Sequence, residues 1–171
     1  MQKITPFLWF DKEAEEAMNF YVSIFNSSPT KKTESKIVSV KRYPEGPLKP
    51  PMQGMEGKIL TAVFELEGQT FMALDGGPVF KPTAAMSLYV ECKTQEEVDH
   101  FWDKLSVGGN QKMQQCGWVQ DKYGFSWQII PAILPKLLSD KNKEKSDKVL
   151  QAMLKMKKID VKKLEEAYKG N

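Results

Sequence analysis

Two hydrophobic periods alternate along the chain, and the alternation happens twice. Residues 7–10 (Phe-Leu-Trp-Phe) make a short strand-like run. From residue 14 the apolar side chains recur at three- and four-residue steps: Ala14, Ala17, Met18, Tyr21, Ile24 and Phe25. That spacing predicts an amphipathic helix, with Asp11 placed to cap it. Two further runs follow, 37–43 and 58–67. In the second, Ile59, Thr61, Val63 and Glu65 alternate with Leu60, Ala62, Phe64 and Leu66, a period of two that turns the wholly apolar set toward a core. Glu67-Gly68 then predicts a tight turn into a strand over 70–74.

The same order returns further on. Glu15-Glu16-Ala17-Met18-Asn19-Phe20-Tyr21 matches Glu96-Glu97-Val98-Asp99-His100-Phe101-Trp102 at an offset of 81 residues. Gly68-Gln69-Thr70-Phe71-Met72-Ala73-Leu74 matches Gly124-Phe125-Ser126-Trp127-Gln128-Ile129-Ile130 at an offset of 56. The first half is therefore longer, and its Pro- and Gly-rich stretch 44–51 marks a loop. The second helix opens on Thr94-x-x-Glu97, a capping box, buries Val98, Phe101, Trp102 and Leu105, and stops at Gly108-Gly109. Runs over 112–121 and 125–130, turned around Tyr123-Gly124, complete that half. The pattern predicts an α+β fold of two βαβββ modules, 1–80 and a shorter 81–135. Their sheets are expected to pair and curl into a cup, since each alone leaves one face uncovered. After Pro131 the period returns to helical: 132–138, then Val149, Leu150, Met153 and Leu154, then Leu164, Ala167 and Tyr168 behind a cap at Asp160. Residues 136–171 read as a Lys-rich helical tail that packs on the modules or on a partner.

Charge sharpens this picture. The net charge is +3, but the tail alone carries +5, with eleven lysines against six acids, and the first 135 residues carry −2. Its lysines alternate with acids and the chain has a single arginine, Arg42. That is the signature of a solvated helical face and not of a nucleic-acid binder. No segment approaches the run of about 20 apolar residues that a membrane span needs. Only Lys3 precedes the first apolar run, which Pro6 interrupts, so no secretory signal is expected. Cys92 and Cys116 stand in no CxxC spacing, which points to a reduced, cytoplasmic protein.

Four segments carry a family resemblance: Pro6-Phe7-Leu8-Trp9-Phe10; Glu15 to Tyr21; Phe71-Met72-Ala73-Leu74-Asp75-Gly76-Gly77-Pro78; and Cys116-Gly117-Trp118-x-x-Asp121-x-Tyr123-Gly124-x-Ser126-Trp127-Gln128. Together they are similar to the PhnB-like branch, the 3-demethylubiquinone-9 3-methyltransferase family, within the glyoxalase/bleomycin-resistance/extradiol dioxygenase (vicinal-oxygen-chelate) superfamily. The resemblance runs from residue 2 to residue 138 and implies that superfamily's fold, a small-molecule ligand and a homodimer. In metal-using relatives the divalent-ion ligands come from the first and last strand of each half. Carried over, those places fall at Thr5 and Met72 and at their repeat partners Met86 and Gln128. Two thioethers, a hydroxyl and an amide suit a divalent ion poorly, so no metal and no cofactor is expected.

The remaining chemistry is sparse. His100, the one histidine, has no ligating neighbour in the sequence and reads as a helix-surface imidazole. Cys116 heads an expected strand with no base nearby, so it reads as a small apolar residue that also faces the cup. Gln128 interrupts an apolar strand and must find a partner for its amide. Trp9, Tyr89 and Trp118 lie on strands that would line the cup, a composition that suits a flat or apolar ligand. The expected ligand-binding set is therefore Thr5, Trp9, Met72, Met86, Tyr89, Cys116, Trp118 and Gln128. An alternative is a metal-dependent, glyoxalase- or dioxygenase-like enzyme that draws its ligands from Gln128, Asp75 or Glu65. Methyl transfer of the doubly wound type needs a glycine-rich turn opening a helix, whereas Asp75-Gly76-Gly77-Pro78 leads into a loop and Gly108-Gly109 closes a helix.

Overall fold

The computed structural model describes residues 3–170. The chain forms two compact units, Met1–Pro82 and Thr83–Asn171.

In the first unit β1 (Phe7–Phe10) leads into α1 (Ala14–Asn26), followed by β2 (Lys36–Arg42), β3 (Ile59–Leu66) and β4 (Gln69–Asp75). The sheet order is β1-β4-β3-β2, with β1 parallel to β4 and the other pairs antiparallel. The period-two reading of β3 holds from Ala62 onward: Ala62, Phe64 and Leu66 are buried, as are Phe71 and Ala73 on β4 and Leu8 and Phe10 on β1, whereas at the start of β3 Ile59 is buried and Leu60 half-buried, beside a register shift in the β2–β3 ladder. All six apolar positions expected on the first helix are buried. Glu67 and Gly68 turn the β3–β4 hairpin with φ of 50° and 84°.

The cap of α1 differs from expectation. Asp11 makes no cap; the Ala14 N–H instead donates to Asp75 Oδ1 at 2.8 Å, and the Ile59 N–H donates to Asp75 Oδ2 at 2.9 Å. Asp75 stands opposite Phe10 across the β1–β4 ladder, so its carboxylate lies under the start of the helix. One buried side chain thus ties the helix N-terminus to the first residue of β3.

The second unit contains β5 (Ser87–Cys92), α2 (Gln95–Leu105), a single 3-10 turn (Gln111–Met113), β6 (Trp118–Gln120) and β7 (Ser126–Pro131), then α3 (Ile133–Leu138), α4 (Lys143–Leu154) and α5 (Val161–Lys169). Its sheet order is β5-β7-β6, with β5 parallel to β7. Among the described residues this half is βαββ, with no counterpart of β2. The run expected over 112–121 is strand only at 118–120, because Gln115–Trp118 close a tight turn. Cys116 and Gly117 there adopt φ of 50° and 85°, and the Trp118 N–H donates to Gln115 O at 2.8 Å. Cys116 accordingly sits in a turn and heads no strand. Gly117 is required in that turn, since a Cβ would lie 2.9 Å from Ile129 O. At α2, Thr94 accepts from the Glu97 N–H as the capping box predicts. The return arm reaches one residue further back, with the Lys93 N–H donating to Glu97 Oε2 at 2.6 Å.

The tail is part of this unit's core. Ile130, Leu134, Val149, Ile159 and Leu164 form one buried cluster, with Met153 and Tyr168 packed against it, while Leu150 and Leu154 face solvent. Asp160 caps α5 as expected. The α4–α5 connection straps the Cys116–Gly117 turn: the Cys116 N–H donates to Met156 O at 2.9 Å and the Gly117 N–H to Lys157 O at 2.8 Å. Gln95 holds the same connection from α2, donating to Ile159 O at 3.1 Å and accepting from the Val161 N–H at 2.8 Å. Ile159→Ala is expected to cost about 3 kcal/mol in urea unfolding, the usual scale for emptying a fully buried aliphatic site. A tail that merely decorates the unit would leave the midpoint unchanged. Among the described residues no helix is long and apolar enough to cross a membrane.

Candidate functional site

The first sheet buries one face under α1 and the second under α2, which leaves the strands' alternate positions on the other face; on the second sheet the tail helices cover the end of that face at Ile130. On the first sheet, Phe7 and Trp9 of β1 share that second face with Met72 and Leu74 of β4, register partners in that order. Val63 of β3 lies beside Met72. Thr5 precedes β1 and is half-buried, as is Met72. Trp9 is committed to structure, since its indole Nε1–H donates to Gly77 O at 2.9 Å and its ring meets Phe80 edge-on at 5.0 Å between centroids. The ring lies so close over Gly76 that a Cβ there would overlap it. Glu65, one of the alternative ligand positions, lies on this face opposite Thr70 and 3.9 Å from the Lys36 ammonium.

On the second sheet the corresponding face carries Tyr89 of β5, Gln128 of β7 and Trp118 of β6, which stand opposite one another across three strands. A second row, Ser87–Ser126–Gln120, lies beside the first. The Gln128 amide donates to Ser87 Oγ at 2.7 Å, so the two rows are joined. Trp127 and Ile129 point to the opposite, buried side. Tyr89 is 51% exposed. Burial and the nearby Glu91 raise its phenol above the usual range.

These registers correct one step of the repeat. Phe7 faces Met72 as Tyr89 faces Gln128, so the strands β1 and β5 are related by 82 residues. The helices keep 81, since Ala17, Tyr21 and Ile24 match Val98, Trp102 and Leu105 in burial. The strand-to-helix connection of the second half is one residue shorter. The repeat partner of Thr5 is therefore Ser87, whereas Met86 lies ahead of β5 and is 73% exposed. In the sequence Ser87 is reached only by a one-residue slip of the carried-over positions, and Ser126 is missed because a lone hydroxyl gives no periodic signal. Only the strand register shows them beside Gln128.

Cys116 is not in these rows. Its thiol lies 3.6 Å from Met153 O in the tail and 3.5 Å from the Gln115 side-chain amide. Burial pushes the other thiol, Cys92, up to about 12, which makes it inert. His100 stands edge-on to Phe101 on α2, 5.2 Å between centroids.

A divalent ion does not fit the positions at which metal-using relatives hold one. With the corrected register these are Thr5, Met72, Ser87 and Gln128: two hydroxyls, a thioether and an amide already engaged by a neighbour. Asp75 is likewise engaged by two backbone N–H groups. Among the described residues there is no group of three or more His, Cys, Asp or Glu side chains able to hold a metal ion. S-adenosylmethionine in the doubly wound manner does not fit either. The β1–α1 connection is Asp-Lys-Glu and the β5–α2 connection is Lys-Thr, neither with a glycine to let the backbone approach the cofactor's ribose and amino-acid part.

Residues 2–130 match the model of a family described as 3-demethylubiquinone-9 3-methyltransferase. Among solved structures, a PhnB protein from Bacillus cereus is 45% identical, covers 77% of this chain and 100% of its own, and superposes with a TM-score of 0.63. A second, the protein PA1353 from Pseudomonas aeruginosa, is 18% identical over 74% of this chain and 95% of its own, with a TM-score of 0.56. That likeness concerns the fold alone. No curated protein matches the chain.

Proposed function

Because the chain belongs to the 3-demethylubiquinone-9 3-methyltransferase family and has the glyoxalase-like fold of its PhnB relative, we propose that it binds a small organic molecule without a divalent ion. The observation that carries this is the row Tyr89–Gln128–Trp118 on the face of the second sheet opposite α2. It sets aromatic surface on either side of Gln128, an amide at one of the positions where ion-binding kin present imidazole or carboxylate. The apolar partners Phe7, Met72 and Leu74 on the first sheet support the same reading. A homodimer and a cytoplasmic location belong to the proposal. Exposed Ile4, Val79 and Phe80 on the first unit suit burial by a second copy, and both cysteines are unpaired thiols. Methyl transfer has no support from the strand-to-helix turns.

Native mass spectrometry of the protein purified from cells tests this reading. The expected result is a co-purified organic species of a few hundred daltons that leaves on denaturation, with no metal adduct. A stoichiometric zinc, nickel, manganese or iron adduct would contradict it.

A further inference from the structure

The face of the second sheet has more open hydrogen-bonding groups than a packing surface requires. Gln128 spends one amide hydrogen on Ser87, and its Oε1 has no hydrogen bond among the described residues. The same holds for the Tyr89 hydroxyl and the Trp118 indole N–H, neither of which has a partner there. Ser126 supplies an independent sign. It is 3% exposed, its Oγ is fully buried, and that oxygen has no hydrogen-bond partner. A hydroxyl buried without a partner is costly, and an ordered water or a ligand group that reaches it recovers that cost.

Charge and spacing restrict what completes it. The strand positions of this face include no lysine and no arginine, and the one acidic residue among them is Glu91, two residues along β5 from Tyr89. An anionic ligand would find no countercharge and one repelling carboxylate. Tyr89 and Trp118 stand two strands apart, about 10 Å at the backbone, with the Gln128 amide between them. That interval admits a flat ring system standing edge-on to the amide, with an aromatic wall against either face.

We propose that the second sheet recognises an uncharged, flat heteroaromatic molecule whose edge presents an N–H beside a C=O, as in a lactam. This rests on the metal-free reading above and names the ligand class for the same face. The ring N–H donates to Gln128 Oε1, and the ring carbonyl accepts from the Trp118 indole N–H or from the second hydrogen of the Gln128 amide. Tyr89 and Trp118 supply stacking area.

Three probes test it: 2-quinolone, which has the edge; N-methyl-2-quinolone, which lacks the N–H; and quinoline-2-carboxylate, which adds a negative charge. Each is titrated into the full-length protein while the side-chain N–H signals of Trp118 and Gln128 are followed by nuclear magnetic resonance. Those signals are assigned with Trp118→Phe and Gln128→Leu. The expected result is saturable binding of 2-quinolone that shifts both signals, at least tenfold weaker binding of the N-methyl compound, and no saturation by the carboxylate. Gln128→Leu should lose about tenfold in affinity for 2-quinolone with an unchanged melting temperature, a fold-change typical of one hydrogen bond to a ligand. Equal binding of the N-methyl compound, tighter binding of the carboxylate, or no saturation by 2-quinolone up to its solubility overturns the proposal. The two readings fail separately. A bound divalent ion overturns the metal-free reading, whereas a preference for the carboxylate in metal-free protein overturns only the ligand class.

Discussion

Trp127→Ala should lower the unfolding free energy of the protein by about 4–5 kcal/mol. Trp127 is 1% exposed on the central strand of the second sheet, one residue in from its start. Truncating a buried aromatic ring of that size costs about 3–5 kcal/mol through lost contacts and the cavity left behind. A polar loss adds to it. The Trp127 indole N–H donates to Asp121 Oδ2 at 2.8 Å, while Asp121 Oδ1 accepts the Tyr123 and Phe125 N–H groups at 2.9 and 3.0 Å. Asp121 is 2% exposed, so removing the indole strips a hydrogen bond from a buried carboxylate oxygen that holds the β6–β7 turn in shape. Trp127→Phe separates the two contributions: it keeps most of the ring volume, loses the N–H, and should cost about 2 kcal/mol. Urea unfolding followed by far-ultraviolet circular dichroism measures both. A loss below about 1 kcal/mol for the alanine variant would show that the strand is not packed as described.

Asp75→Ala should cost about 3 kcal/mol at neutral pH, because it leaves the buried N–H groups of Ala14 and Ile59 without acceptors. Its pH dependence gives a second signature. Burial raises the Asp75 carboxyl above the ordinary aspartate value of 3.8, against the pull of its two backbone donors and of the Lys58 ammonium. A carboxyl raised in the folded state binds protons more tightly there than in the unfolded chain. Its contribution to stability is therefore fully present below pH 3.8 and is lost as pH rises until the folded carboxyl has ionised. The deficit of the alanine variant relative to the native protein should thus be larger at pH 4.5 than at pH 7.5. A deficit that grows with pH would mean that the two N–H donors outweigh burial and hold the carboxyl below its ordinary value.

Most of the fold was legible in the residues because its signals are local and periodic. The stripe of α1 and the alternation of β3 depend on neighbours two to four positions away; the stripe is buried throughout as that spacing requires, and the alternation from Ala62 to Leu66. The duplication was legible for the same reason, since two copies of one pattern reinforce each other. What escaped is set by contacts distant in sequence. The cap of α1 comes from Asp75, 61 residues away, so Asp11 was the only candidate visible from the helix itself. The run over 112–117 had strand-like composition, but the tail's carbonyls at Met156 and Lys157 receive the N–H groups of Cys116 and Gly117 and fix a turn there. The candidate site divides along the same line. Tyr89, Trp118 and Gln128 were recognisable as aromatic and amide interruptions of strands, and the ladder brings them side by side. Met86 was misplaced by a single residue, because a one-residue contraction before α2 leaves the helical repeat intact and shifts only the strand. Cys116 was grouped with them through the strand it was expected to head, and its thiol faces the tail.

Calorimetric titration of the metal-stripped protein with Zn²⁺, Ni²⁺, Mn²⁺ and Fe²⁺ tests the metal-free claim most directly. Hydroxyl, thioether and amide groups at Thr5, Met72, Ser87 and Gln128 should give no saturable heat at micromolar metal. One equivalent of any of these ions bound with micromolar affinity, and lost in Gln128→Leu, would contradict it.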